Sequence, residues 1–183
     1  MRVFLLSGKA RSGKGTVANI IKKYYREKCI EMMFAKTIKQ YAIDFMGWDG
    51  SDENKPRKFL QTIGTDVIRD KLNNPNFHWN RVAEDIDILK HYFDNFVISD
   101  CRFPNEADLS KEKFGEKCVL LRLERDWTNL TKEQQNHKSE TALDNYENWD
   151  YVIKNNGSIS ELEEKITHIL DSLDRISCSE MEQ

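Results

Sequence analysis

A chain of 183 residues, 39% of them hydrophobic, is the length of one domain with a proper buried core, so a single domain over residues 1–183 is expected. The net charge is only −3, and its 28 basic and 31 acidic residues are interleaved, which argues against a nucleic-acid or membrane surface and suits a small anionic ligand. The four cysteines never form C-x-x-C, the four histidines show no metal-ligand spacing, and no apolar run is long enough to cross a membrane. With Met1 leading straight into a core strand, the expected setting is cytoplasmic, in the host cytoplasm for a viral protein.

The first element is an apolar strand, Val3 to Leu6, that runs into Gly8-Lys9-Ala10-Arg11-Ser12-Gly13-Lys14-Gly15-Thr16. The spacing is close to a Walker A loop, in which successive backbone N–H groups cradle phosphate. Gly8 and Gly13 permit backbone conformations and a close ligand approach that a Cβ blocks. Lys14 places an ammonium where β- and γ-phosphate charge sits, and the N-terminal end of the next helix adds positive potential. Gly15 stands where the strict pattern has Ser or Thr, so Thr16 becomes the candidate hydroxyl for Mg²⁺. The Gly-Lys-Gly-Thr ending resembles the adenylate-kinase-like branch of small P-loop kinases.

Val17, Ile20, Ile21 and Tyr24 recur at helical spacing over residues 14–28, and residues 30–34 supply a second strand, completing a β-loop-α-β unit. From 37 to about 80 the chain reads as helical and polar, the region where such kinases bind an acceptor. Ile38, Tyr41, Ala42 and Phe45 share one stripe, and Pro56 opens a helix with Phe59, Leu60, Ile63, Val67 and Ile68 on its apolar face. Asp44-Phe45-Met46-Gly47 and Asn54-Lys55 imitate GTPase signatures. Both fail on context, the first lying on a helical stripe and the second lacking its aspartate.

A helix over 81–93 leads to the strand 96–99 and then Asp100-Cys101-Arg102. A buried strand ending in a carboxylate is the setting of a Walker B aspartate, so Asp100 is a candidate Mg²⁺ ligand and, with Arg102, a candidate catalytic residue at the carboxyl edge of the sheet. After the strand 117–123, residues 124–149 are polar and almost free of aliphatics, which predicts a lid with a short helix capped by Thr131 and Gln134. Arg122 and Arg125 flank its start, and Arg125 is a candidate for stabilising charge on a transferring phosphoryl group. A last strand over 151–153, the turn Asn155-Asn156-Gly157 and a helix capped by Ser158 and Glu161 follow; Ile159, Leu162, Ile166, Ile169 and Leu170 form its apolar face, and the tail beyond Ile176 is expected to fray.

Five stretches together resemble the bacteriophage and bacterial deoxynucleoside monophosphate kinases of the P-loop kinase superfamily: GKARSGKGT, PRKFLQTIGTDVIRD, FVISDCRFPNEAD, HKSETAL and DYVIKNNGSISEL. The resemblance implies an α/β P-loop NTPase fold, a five-stranded parallel sheet of order 2-3-1-4-5 with helices on both faces and a lid insertion. It also implies transfer of the γ-phosphoryl group of MgATP to a deoxynucleoside monophosphate by a monomer or homodimer. ATP would be held by residues 8–16 and the turn at Asn156, and the acceptor by Lys39, Arg57, Gln61, Arg69, Glu106 and His137, with Ser139 and Glu140 in the lid or its hinge. An acceptor phosphate is already a nucleophile and needs cations rather than a base, whereas a hydroxyl acceptor would look to Asp100. Phosphomevalonate, dephospho-coenzyme A and gluconate kinases are the rivals within the class, and a non-catalytic ATP-binding module is the rival outside it.

Overall fold

The structure, a computed structural model, describes residues 1–126 and 136–180, with side chains described through 176. Its centre is a five-stranded parallel sheet in the order β2-β3-β1-β4-β5, as the resemblance implies. The strands are β1 (Arg2–Ser7), β2 (Cys29–Met32), β3 (Asn95–Cys101), β4 (Cys118–Glu124) and β5 (Tyr151–Lys154). β1, β3 and β4 are near-continuous apolar runs because both of their faces are covered. On one face Phe4, Leu6, Val97, Val119 and Leu121 pack against α1 (Lys14–Tyr25) and α7 (Ile159–Glu180). On the other, Val3, Leu5, Phe96, Ile98 and Leu120 pack against α4 (Phe77–Leu89) and α5 (Pro104–Phe114). The carboxyl ends of β1 and β3 therefore open side by side, where doubly wound sheets bind ligands.

Several elements depart from their expected form for identifiable reasons. β2 stops at Met32 because Phe34 and Ala35 turn their amides onto the Asp100 carboxylate, and α2 (Lys36–Met46) starts directly afterwards. Of the α2 stripe, Ile38 and Ala42 are buried, but Tyr41 and Phe45 are exposed and lie against each other, ring centroids 6.1 Å apart. The helix expected from Pro56 is α-helical only over α3 (Arg57–Gln61) and continues as a π-helix over Thr62–Lys71. The wider winding brings Gly64, Thr65 and Arg69 inward with Ile68, and leaves Phe59, Leu60, Ile63 and Val67 only partly buried. Ile159 sits in the first turn of α7, before the helix reaches the sheet, and is exposed; the backbone stays helical past Ile176 to Glu180. Ser158 accepts the Glu161 N–H as expected. The expected cap at Thr131 and Gln134 lies outside the described residues. The second half of the predicted lid, 136–149, contains α6 (Lys138–Thr141), and it is anchored on the sheet by buried Leu143 with Tyr146 and Trp149 packed beside it.

The start of α5 is fixed by a buried ion pair. Glu106, 2% exposed, pairs with Arg69, 6% exposed, and its other oxygen accepts the amides of Arg102 at 2.8 Å and Phe103 at 3.1 Å. Burial pushes the Glu106 carboxyl upward, and Arg69 and the two amides pull the other way. Removing one partner strands the other charge, so Glu106→Ala should lower the unfolding free energy by about 3–5 kcal/mol. Urea unfolding measures this; a loss of less than about 1 kcal/mol would show that the pair holds nothing together.

Candidate active site

The loop after β1 takes a shape that only glycine permits at two positions. Gly8 has φ +147°, and a Cβ there would lie 2.5 Å from the Leu123 carbonyl; Gly13 has φ +104°, and a Cβ would lie 2.3 Å from Asn155 Nδ2. Asn155, buried, donates from that Nδ2 to the Ser12 carbonyl at 2.9 Å and so ties the loop to the β5–α7 turn. This contact was missed in the sequence, where Asn156 was singled out; Asn156 instead bonds Asp126, donating to its carboxylate at 2.6 Å. The Ser12 hydroxyl is buried inside the loop without a hydrogen-bond partner among the described residues. An orphaned donor in a glycine cradle is what an anion site leaves to its ligand.

Lys14 curls back over the loop and donates to the carbonyls of Gly8 at 2.7 Å and Lys9 at 2.8 Å. Its ammonium shares the site with Arg102 and Arg122. Burial, and then the Arg102 charge, pushes its pKa down to about 7, while Glu140 and Asp100 act upward. Arg102 reaches toward the Gly8 carbonyl at 3.4 Å and pairs with Glu140 at 2.8 Å. Arg122 donates to Ser7 Oγ at 3.1 Å and pairs with Asp144 at 3.4 Å. Arg125 lies just past β4, half-buried. Lys9 pairs with Asp144, Arg11 is exposed with φ 63°, and Ala10 is buried. Gly15 and Thr16 begin α1.

Beside the loop lies a cleft that gathers most of the predicted acceptor residues. Lys39, Arg57, Gln61, Arg69, Asp100, Arg102 and Glu106 all line it. Phe34, Ile38, Leu60 and Phe103 supply apolar wall, with the Arg69 guanidinium 3.8 Å from the centre of the Phe103 ring. His137 is not part of the lining: it caps α6, with Nδ1 accepting the Ser139 N–H at 3.1 Å, and Ser139 and Glu140 line the cleft in its place. His78, which was passed over in the sequence, also lines the cleft, 3.3 Å from the Gly64 carbonyl, and burial lowers its pKa.

The cations of the cleft are unequally free. Arg69 is spent on Glu106, the Pro75 carbonyl at 2.6 Å and Asn105; Lys55 pairs with Asp52 at 3.0 Å; Lys39 donates to Met33 Sδ at 2.7 Å, and burial lowers its pKa. Arg57 has no carboxylate in salt-bridge range among the described residues.

A glycine loop closing on lysine after the central strand of a 2-3-1-4-5 parallel sheet defines the P-loop kinase class. Solved structures agree on the fold. A gluconokinase from Sinorhizobium meliloti 1021 superposes with a TM-score of 0.53 at 14% identity, covering 100% of this chain and 97% of that one. A dephospho-CoA kinase from Campylobacter jejuni gives 0.54 at 18% identity, covering 97% and 100%. The family is narrower than the fold. Residues 42–166 match the deoxynucleotide monophosphate kinase family, and the chain is 32% identical to an Acanthamoeba polyphaga mimivirus protein called "Putative deoxynucleotide monophosphate kinase", covering 94% of this chain and 97% of that one. The chain belongs to the deoxynucleotide monophosphate kinase family and is an ATP-dependent phosphotransferase.

With its pKa pushed down to about 7, Lys14 is partly neutral at pH 7, and phosphate charge beside it favours the ammonium. Polyphosphate binding should therefore take up a fraction of a proton at pH 7 through Lys14. Calorimetry in buffers of different ionisation enthalpy reads this as the difference between wild type and Lys14→Arg, whose guanidinium cannot titrate. Equal proton uptake in the two proteins would contradict it.

Proposed function

We propose that this kinase transfers the γ-phosphoryl group of MgATP to the 5′-phosphate of a deoxynucleoside monophosphate, giving the diphosphate. The reading is carried by how the carboxylates of the cleft are used. Every oxygen of Asp100, Glu106 and Glu140 already accepts a backbone amide or a guanidinium: Asp100 from Phe34 and Ala35, Glu106 from Arg69, Arg102 and Phe103, and Glu140 from Arg102 and Ala10. A hydroxyl acceptor sheds a proton as it attacks and is served by a carboxylate poised as base. A phosphate acceptor is an anion from the start and is served by cations. Lys39, Arg57 and Arg102 provide these beside the loop, and Phe34, Ile38, Leu60 and Phe103 provide apolar surface for a base.

In this reading the loop amides, Lys14 and the Ser12 hydroxyl hold the ATP phosphates, while Arg102, between loop and cleft, faces the transferring group. Arg57 is the main grip on the acceptor phosphate, Gln61 and Lys39 assist it, and Arg69 sets the shape of the cleft. No group of three or more His, Cys, Asp or Glu residues suited to a metal occurs among the described residues. Thr16 and Asp100, whose amide-bonded oxygens each keep a second lone pair, would offer hard oxygen donors to Mg²⁺. Bound there with a polyphosphate, the ion would supply neutralising positive charge. Free thiols at Cys29, Cys101 and Cys118 support a cytoplasmic setting.

A coupled ADP-release assay with ATP and a panel of deoxynucleoside monophosphates, gluconate, dephospho-coenzyme A and phosphomevalonate tests the proposal. At least one deoxynucleotide should be used with a kcat/KM about tenfold or more above every other acceptor class. Lys14→Ala should lower kcat about 10²-fold or more. Arg57→Ala should raise KM for the acceptor about tenfold, roughly 1.4 kcal/mol, with KM for ATP little changed. Turnover confined to a hydroxyl acceptor, or none with any nucleotide, would overturn the reading.

A further inference from the structure

Glu140 enters the phosphate-binding loop as an anion. Its Oε2 accepts the Ala10 N–H at 3.1 Å, and its Oε1 pairs with Arg102 at 2.8 Å, with the Glu140 side chain only 9% exposed. Asp144, one turn further on, pairs with Lys9 at 3.1 Å and Arg122 at 3.4 Å. Leu143, 4% exposed and packed on the sheet, pins the segment that carries both carboxylates. A loop amide, a loop lysine and the two arginines flanking the loop are thus engaged by protein carboxylates. These are the same types of donor that a polyphosphate recruits.

We propose that Glu140 is an internal competitor for the phosphate-binding loop: its carboxylate holds the anion position at the Ala10 N–H and restrains Arg102, and polyphosphate exchanges for it. The inference rests on the loop being the donor-phosphate site. A phosphate oxygen that accepts the Ala10 N–H must displace Glu140 Oε2, since one amide hydrogen cannot serve two anions in good geometry. Two like charges also repel at that distance, so the displacement moves the whole carboxylate and loosens its grip on Arg102. The guanidinium is then released toward the γ-phosphoryl group as the group arrives. Because Glu140 and Arg102 also line the acceptor cleft, the exchange at the donor loop is felt on the acceptor side. The coupling runs through one side chain and needs no rearrangement of the sheet.

The contact is charge-assisted on both oxygens, yet Arg102 is 25% exposed, so solvent screens part of its strength. A displacement of this size should weaken polyphosphate binding about tenfold relative to a loop without the competitor.

Inorganic tripolyphosphate, titrated calorimetrically at fixed ionic strength without added metal, is the probe. Glu140→Gln, which keeps the shape and removes the charge, should bind it about tenfold more tightly than wild type, and Glu140→Ala should do the same. In the kinase assay KM for ATP should fall in both variants, because the charge that competes for the loop is gone; a merely structural loss does not tighten binding. Lys14→Ala is the control for the loop itself. If Lys14→Ala abolishes binding and Glu140→Gln binds as wild type or more weakly, the competitor role is overturned and the loop assignment stands. If Lys14→Ala binds tripolyphosphate as wild type does, the loop is not the phosphate site, and both readings fall. Should Glu140→Ala not fold, the isosteric Glu140→Gln decides alone.

Discussion

The Glu106 carboxylate, buried at the start of α5, is the contact on which the arrangement of the site depends. One of its oxygens takes the Arg69 guanidinium and so docks the π-helix that floors the cleft. The other takes the amides of Arg102 and Phe103, which fixes the chain as it leaves β3 and aims the Arg102 side chain back toward the loop. Arg102 in turn pairs with Glu140, and Glu140 accepts the Ala10 amide inside the phosphate-binding loop. Cleft floor, strand end and glycine loop are therefore linked by alternating charges. Breaking the first link leaves an uncompensated charge in the interior, which explains why so polar a connection persists in a buried place.

This wiring bears on chemistry. Three carboxylates line the cleft, and each is employed in holding backbone or guanidinium groups, so none stands free to serve as a base. Asp100 shows the point: it ends a buried strand as a Walker B residue does, and both of its oxygens clamp the turn between β2 and α2. That clamp places Phe34 and Ala35 on the cleft wall, so the residue that looks most like a base also shapes that wall.

Much of the fold was legible because its signals are local and strong. An apolar strand, two glycines forced into left-handed backbone and a lysine can hardly be anything but a phosphate loop, and the apolar runs of β3 and β4 mark strands covered on both sides. The acceptor region was less legible. A periodicity of 3.6 predicts one helical face after Pro56, and the π-helical winding turns a different set of residues, Gly64, Thr65 and Arg69, toward the interior. No pattern of apolar spacing announces that change of winding. The loop contacts of Asn155 and Glu140 were unreadable for another reason: their partners, the Ser12 carbonyl and the Ala10 amide, are backbone groups 143 and 130 residues away, and backbone groups leave no trace in residue types. His137 entered the acceptor set through the resemblance alone, and locally it is a helix cap.

The most direct measurement is the crystal structure of the protein with a bisubstrate analogue joining adenosine and a deoxynucleoside through a polyphosphate. The deoxynucleoside should lie in the cleft between Phe34, Leu60 and Phe103 with its 5′-phosphate at Arg57, while the polyphosphate follows the loop amides with Lys14 turned from the Gly8 and Lys9 carbonyls onto it. A deoxynucleoside bound outside that cleft, or a polyphosphate that leaves Lys14 on those carbonyls, would contradict a single site in which a donor loop and an acceptor cleft meet at Arg102.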